Sequence, residues 1–299
     1  MKKAYFQIHA AIFLWGFTGI FGRLIELSDA LLVWYRLAIT SLCLFAFLLW
    51  RKQLSFPSKK ELVKISVVGI LLTTHWLFFY GSIKCSNVSI GVSCLSSTAL
   101  FSSIFDPLYH RKKINPREII LGLGAIAGTY LIFFSQQYYA TGILLGIGSA
   151  VLGGIFTTLN KALMEKHQAE IVSFYELGTG WIFLTLLLPF LLLFFPSTKL
   201  FPSNIDWTYL LLFSVFCTII PIGLSLRALK KISPFAQNLS LNLEPLYGIL
   251  LAIIVFHENR ELNAGFYIGS LVIFGSVFLH GAMEVYIGQK TQDQYGETK

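Results

Sequence analysis

Three charged residues stand inside long apolar runs of the sequence: Arg36, Glu176 and Glu244. Ionisable side chains in such runs are costly enough that a functional role is the default reading. Arg36 lies about six residues into its run, ~9 Å by helical rise, and Glu176 sits at a similar depth in another. Each can gate a pathway or clamp a substrate charge; the alternative for each is snorkelling toward headgroups. Glu244 begins about ten residues in, ~15 Å deep, where snorkelling is hard, so it must face protein or water. Pro245 beside it removes one backbone donor and leaves a carbonyl for a cavity. A carboxyl so placed can carry a proton, or it can bond to a neighbouring helix at a packing kink.

Polar stripes accompany these charges. Asn238, Asn242 and Pro245 follow i, i+4, i+7 and share one helix face, and Ser89, Ser93, Ser96 and Ser97 form a similar stripe. Such stripes line a polar cavity or let helices approach closely. His75, with Trp76, Phe78, Phe79 and Tyr80 beside it, can relay protons, bond a solute carboxylate or bond across to another helix. Trp15 and these aromatics can cup an apolar side chain, although 27 Phe, 13 Tyr and 6 Trp make aromatic clusters expected from composition. The candidate substrate contacts are Trp15, Arg36, His75, Trp76, Tyr80, Ser97, Asn238, Asn242 and Glu244, with gating or coupling assigned to Glu244, Glu176 and Arg36. A competing chemistry is intramembrane hydrolysis: Gly91-Val92-Ser93 has the form of a serine nucleophile, for which His75 or His280 is the available base.

The elements that must hold these residues are membrane helices. The chain has 299 residues, 55% hydrophobic and only 13% charged, against about 25% charged in a soluble domain. A spanning helix needs about 20 mostly apolar residues. Ten segments meet that length, at roughly 5–23, 30–50, 62–82, 86–106, 117–135, 141–160, 171–195, 207–228, 234–256 and 265–286. The polar stretch 135–142 makes a tight hairpin inside a long run that lacks charged residues. Met1-Lys2-Lys3 could open a signal peptide, but no small-x-small cleavage site follows, so it reads as an uncleaved first span.

Charge sets the orientation. The net charge of +8 comes from short basic clusters between apolar runs, which argues against a nucleic-acid face. Eighteen Lys and Arg fall on one side of the ten-span arrangement and four on the other, which places both termini in the cytoplasm and requires an even number of spans. Cys43, Cys85, Cys94 and Cys217 show neither CxxC nor Cys/His metal spacing, so no disulfide framework, metal or cofactor is expected.

The two halves of the chain resemble each other. Ile83-Lys84 matches Leu229-Lys230, Arg23 matches Lys161, the stretch Val33 to Arg36 matches Val172 to Glu176, and His110 with Gly122 and Gly128 matches His257 with Gly269 and Gly275. Five helices per copy is an odd number, so the second copy must be inverted, an arrangement that places a solute site at the midplane between copies. On Leu14-Trp15-Gly16, Val33-Trp34-Tyr35-Arg36, His75-Trp76-Leu77-Phe78-Phe79-Tyr80, Arg227-Ala228-Leu229-Lys230-Lys231 and Asn242-Leu243-Glu244-Pro245-Leu246-Tyr247, the chain resembles the EamA-type, ten-helix members of the drug/metabolite transporter superfamily. The first repeat departs from the second by carrying Thr98-Ala99 opposite Glu244-Pro245 and Arg111 opposite Glu258.

The resemblance implies an all-α membrane protein with ten transmembrane helices in two inverted five-helix repeats, 5–134 and 141–283, and a cytoplasmic tail at 287–299. It also implies a secondary transporter in the inner membrane, an exporter of small organic metabolites such as amino acids that works by alternating access. No loop carries GxxxxGK[ST] or is long enough for an ATPase, so ion or solute gradients must drive it. Expected partners are a small-molecule substrate and the lipid bilayer, without nucleic acid, in a monomer or homodimer. A receptor that binds solute without transport is a third reading, for which the short tail offers little to hold a partner.

Overall fold

The computed structural model describes residues 2–282 apart from 112, 115, 136, 198, 234–236, 238–239, 242, 277 and 280–281. Among the described residues the chain is helical and contains no strand. In chain order the helices are α1 (Lys2–Trp15), α2 (Thr18–Leu24), α3 (Asp29–Trp50), α4 (Lys59–Cys85), α5 (Val88–Leu95), α6 (Thr98–Tyr109) and α7 (Pro116–Ser135). They continue as α8 (Ala140–Met164), α9 (Ala169–Phe194), α10 (Asn204–Ser214), a π turn (Val215–Ile219), α11 (Ile220–Leu229), α12 (Leu243–Phe256) and α13 (Ala264–Ser276). Among the described residues seven helical stretches are long and apolar enough to cross a bilayer, with mean hydropathy from 1.3 to 2.2. Two shorter apolar helices lie within α12 and α13, and α7 adds 20 mostly apolar residues. The protein is an all-α membrane protein, and each of the ten expected segments contains helix.

Side-chain oxygens set several helix starts. The Ser28 hydroxyl accepts from the Leu31 N–H, and Ser58 and Ser203 form reciprocal capping boxes with Glu61 and Asp206. Large apolar side chains such as Phe6, Trp50, Phe190 and Leu193 stay exposed on the outside of the bundle, as a chain whose solvent is lipid requires.

Two expected spans are not continuous helices. The first breaks after Trp15, where the Phe17 N–H reaches only three residues back and the Thr18 hydroxyl takes the Trp15 carbonyl at 2.7 Å. The fourth breaks at Ser96 and Ser97, whose N–H groups bond three residues back to Ser93 and Cys94. A polar hydroxyl or a tightened turn there satisfies backbone groups that lipid could not. The hairpin expected at 135–142 is a 3-10 turn, Gln137–Tyr139, between α7 and α8.

Contacts between the halves come in matched kinds. Helix α4 packs on α8, and α11 packs on α1; α5 and α6 pack on α8, and α12 packs on α1 and α2. Helices α4 and α9 meet, as do α10 and α3, while α3 with α9 and α5 with α12 join equivalent elements across the middle. Exchanging the first five spans for the second five leaves this list unchanged, which is the pattern of a two-fold relation between repeats.

Small residues let the backbones meet. A Cβ at Gly69 on α4 would lie 2.3 Å from the Glu176 carbonyl, and one at Gly180 on α9 would lie 2.1 Å from the Thr73 hydroxyl. On α7 and α13, Gly128 and Gly269 each face the other's carbonyl at 2.5 and 2.6 Å. Gly178, on the same helix as Gly180, has nothing within 4 Å of such an atom. Gly69→Val is expected to lower the thermal unfolding temperature of the purified protein, since overpacking costs about 1–3 kcal/mol, whereas Gly178→Ala should leave it unchanged or raise it. Equal effects would show that the α4–α9 crossing is not the constraint.

Candidate functional site

The local sequence of the eighth span prepares a seat for Arg36. Pro221 has no N–H to offer the carbonyl four residues back, that of Cys217, and the chain passes through a π turn at that point. The freed Cys217 carbonyl accepts from Arg36 Nη2 at 3.2 Å, and the Thr218 hydroxyl accepts from Nε at 2.7 Å while donating to the Phe213 carbonyl. From α4, Tyr80 accepts from Nη1 at 2.6 Å. The guanidinium carbon lies 3.7 Å from the Trp76 ring centroid and 4.1 Å from that of Phe213.

Arg36 is 1% exposed. Hydrogen bonds to a charged group contribute about 1.5–3 kcal/mol each, so three of them outweigh the about 2.5–3.5 kcal/mol that insertion scales assign to an arginine at mid-helix. They do not neutralise its charge. Among the described residues no carboxylate forms an ion pair with it.

Arg36 lines a cavity of about 130 Å³ between the halves. The first half adds Trp15, Thr18, His75, Trp76 and Tyr80 to its wall, and the second adds Asn160, Glu176, Ser225, Gln237 and Glu244. Glu244, in the first turn of α12, approaches the Thr18 hydroxyl at 3.5 Å, so the break in the first span also supplies a contact for the carboxyl. Glu176 is buried near the start of α9, close to the backbone contact at Gly69. The His75 ring packs edge-on to Phe156 on α8, its Nδ1 2.9 Å from the Ser149 hydroxyl and 2.8 Å from the Ser149 carbonyl. His75 therefore clips α4 to α8 while its ring borders the cavity.

Beyond the cavity, basic residues pin the halves together. Arg23, at the end of α2, pairs with Glu258, which is 0% exposed and also accepts from the N–H groups of Val88 and Ser89 and from the Ser89 hydroxyl at 2.6 Å. A carboxylate on the first N–H groups of a helix is a favourable placement. Lys161, which matches Arg23 in the repeat, instead donates to the Leu229 and Ile232 carbonyls at 2.6 and 3.0 Å.

Most of the sequence candidates converge on one wall: Trp15, Arg36, His75, Trp76, Tyr80, Glu176 and Glu244 all border the cavity. Ser97 does not. It sits buried at the α5–α6 break, and Leu95 and Thr98 form the wall there, because the tightened turn rotates its neighbours inward. Asn238 and Asn242 lie outside the described residues, as does His280. The hydrolase geometry is not formed by His75, whose imidazole serves Ser149. Ser93 has a buried hydroxyl with no hydrogen-bond partner among the described residues. The sequence reading missed Thr18, Asn160, Gln237 and the Cys217–Thr218 seat. Pro221 after an apolar run was the available signal for the seat, and isolated amides near span ends were the signal for Asn160 and Gln237.

Comparison with known proteins agrees with this architecture. The chain is 23% identical over 295 residues to an uncharacterized transporter of Archaeoglobus fulgidus, covering 95% of this chain and 99% of the relative. It is 24% identical to an uncharacterized transporter of Haemophilus influenzae over 87% of this chain and 86% of the relative. An uncharacterized transporter of Bacillus subtilis, YetK, is 25% identical over 98% of this chain and 89% of its own length. A crystal structure with 17% identity superposes with a TM-score of 0.67, covering 92% of this chain and 96% of that one, which shows a shared fold. The EamA-like transporter family model matches twice, at residues 2–134 and 140–281. The chain belongs to the EamA-like transporter family and is a membrane transporter.

Proposed function

We propose that this transporter is a secondary carrier that exports small organic metabolites such as amino acids across the inner membrane by alternating access. In this reading the repeats 5–134 and 141–283 rock about the central cavity, and both termini with the tail 287–299 lie in the cytoplasm. The observation that carries it is the Arg36 guanidinium, buried on the cavity wall with hydroxyl, carbonyl and ring partners and no paired carboxylate among the described residues. Three of its five N–H groups are occupied, which leaves donors for a solute carboxylate. An anion about 4 Å from such a charge gains about 4 kcal/mol at an effective dielectric near 20. The carboxyl of Glu244 on the same wall supports proton coupling, and the pins at Arg23–Glu258 and Lys161 support alternate sealing of the two ends.

In proteoliposomes loaded with labelled amino acids, Arg36→Gln is expected to raise the KM for a carboxylate-bearing solute at least tenfold. The Arg23→Gln protein should keep its KM and change only the maximal rate. Equal KM changes in both would reduce Arg36 to a helix anchor. Glu244→Gln is expected to abolish flux driven by an imposed pH gradient while leaving membrane insertion and solute counterflow intact; gradient-driven flux at the wild-type rate would remove Glu244 from coupling.

A further inference from the structure

The cavity carries on its wall a second set of polar groups besides Arg36 and Glu244. Asn160 on α8, Glu176 on α9 and Gln237 in the segment between α11 and α12 all line it, and they are 3%, 1% and 4% exposed. Each presents a buried oxygen, Oδ1 or Oε1, that receives no hydrogen bond among the described residues. Asn160 adjoins the Glu176 carboxyl. A buried acceptor without a donor costs about 1–3 kcal/mol, and three on the wall of one cavity is more than packing accounts for. Lys161, next to Asn160 in the chain, donates to the Leu229 and Ile232 carbonyls.

One carboxylate and two amide oxygens form a set that suits a small, hard cation with a single charge. The Asn160 amide acts as a donor toward the Glu176 carboxyl, and the groups left open in this set are oxygens, which attract a cation and repel an anion. We propose that Asn160, Glu176 and Gln237 form a subsite for a small monocation, either the ammonium group of the transported solute or a free alkali ion. The inference rests on the carrier reading above and deepens it: Arg36 and Glu176, lining one cavity, match opposite charges on one zwitterion, or a solute anion with its co-transported cation.

The test uses the full-length protein in lipid nanodiscs, with unfolding followed by tryptophan fluorescence at constant ionic strength. Methylammonium, sodium and potassium are titrated against tetramethylammonium, whose methyl groups block hydrogen bonding. At least one of the first three should raise the unfolding temperature saturably, with the apparent affinity weakened at least tenfold in Glu176→Gln and severalfold in Gln237→Leu. Methylammonium acting alone identifies a solute ammonium, and sodium or potassium identifies a free ion. A response no larger than that of tetramethylammonium, or one unchanged in the variants, overturns the subsite. If Glu176→Gln does not fold, Asn160→Leu and Gln237→Leu carry the same comparison. Uptake of a labelled amino-acid mixture by the same protein reconstituted into sealed proteoliposomes separates the two claims. Uptake without any cation response overturns the subsite alone, and a cation response without uptake retains the subsite while removing the carrier reading.

Discussion

A buried guanidinium held by three hydrogen bonds to neutral groups, with no carboxylate in an ion pair with it among the described residues, organises the centre of this protein. Arg36 reaches its place because Pro221 frees the Cys217 carbonyl, the π turn presents Thr218, and Tyr80, Trp76 and Phe213 close around the plane of the group. Every one of those partners is neutral. Lipid cannot solvate the charge, so these elements must stay together, and the remaining field falls on the cavity they border. The same arrangement that makes the arginine tolerable in a membrane also keeps it available to an anion.

The two halves share a frame but not a charge pattern. Matched helix contacts run through the bundle, with glycines at the α4–α9 and α7–α13 crossings. At equivalent depths the first half places Arg36 and the second Glu176, and the basic residue past the cavity finds a buried carboxylate in one half and backbone carbonyls in the other. A symmetric scaffold thus gives a polar axis to its cavity. Both contacts are charge-assisted, a carboxylate on helix N–H groups and an arginine in one half, a lysine ammonium on carbonyls in the other.

Much of the frame could be read from the sequence because lipid imposes a blunt rule: about 20 apolar residues per span, with charge only where it is tolerated. The spans, the 135–142 hairpin and the membrane-embedded Arg36, Glu176 and Glu244 follow from that rule. The helix breaks at Trp15 and Ser96 did not, since a three-residue-back turn needs only a shift in hydrogen bonding and leaves no gap in the apolar run. Ser97 shows the consequence: helical periodicity put it on a face that the break rotates away. The Arg36 seat was also hidden, because it depends on which carbonyl Pro221 releases and on which helix passes beside it, a tertiary fact. Asn160 and Gln237 are single amides whose importance comes from converging with Glu176.

Whether water and solute reach the space between the halves is the most direct question to put to the account. Ser225 lines the cavity and is 4% exposed, and the four native cysteines can be replaced to leave a single thiol there. Membrane-impermeant thiol reagents applied to Ser225→Cys in sealed vesicles should label it from one side of the membrane, and the transported solute should slow that labelling. A thiol that stays unmodified from both sides, with solute present or absent, would mean a dry apolar seam in place of a carrier's binding site.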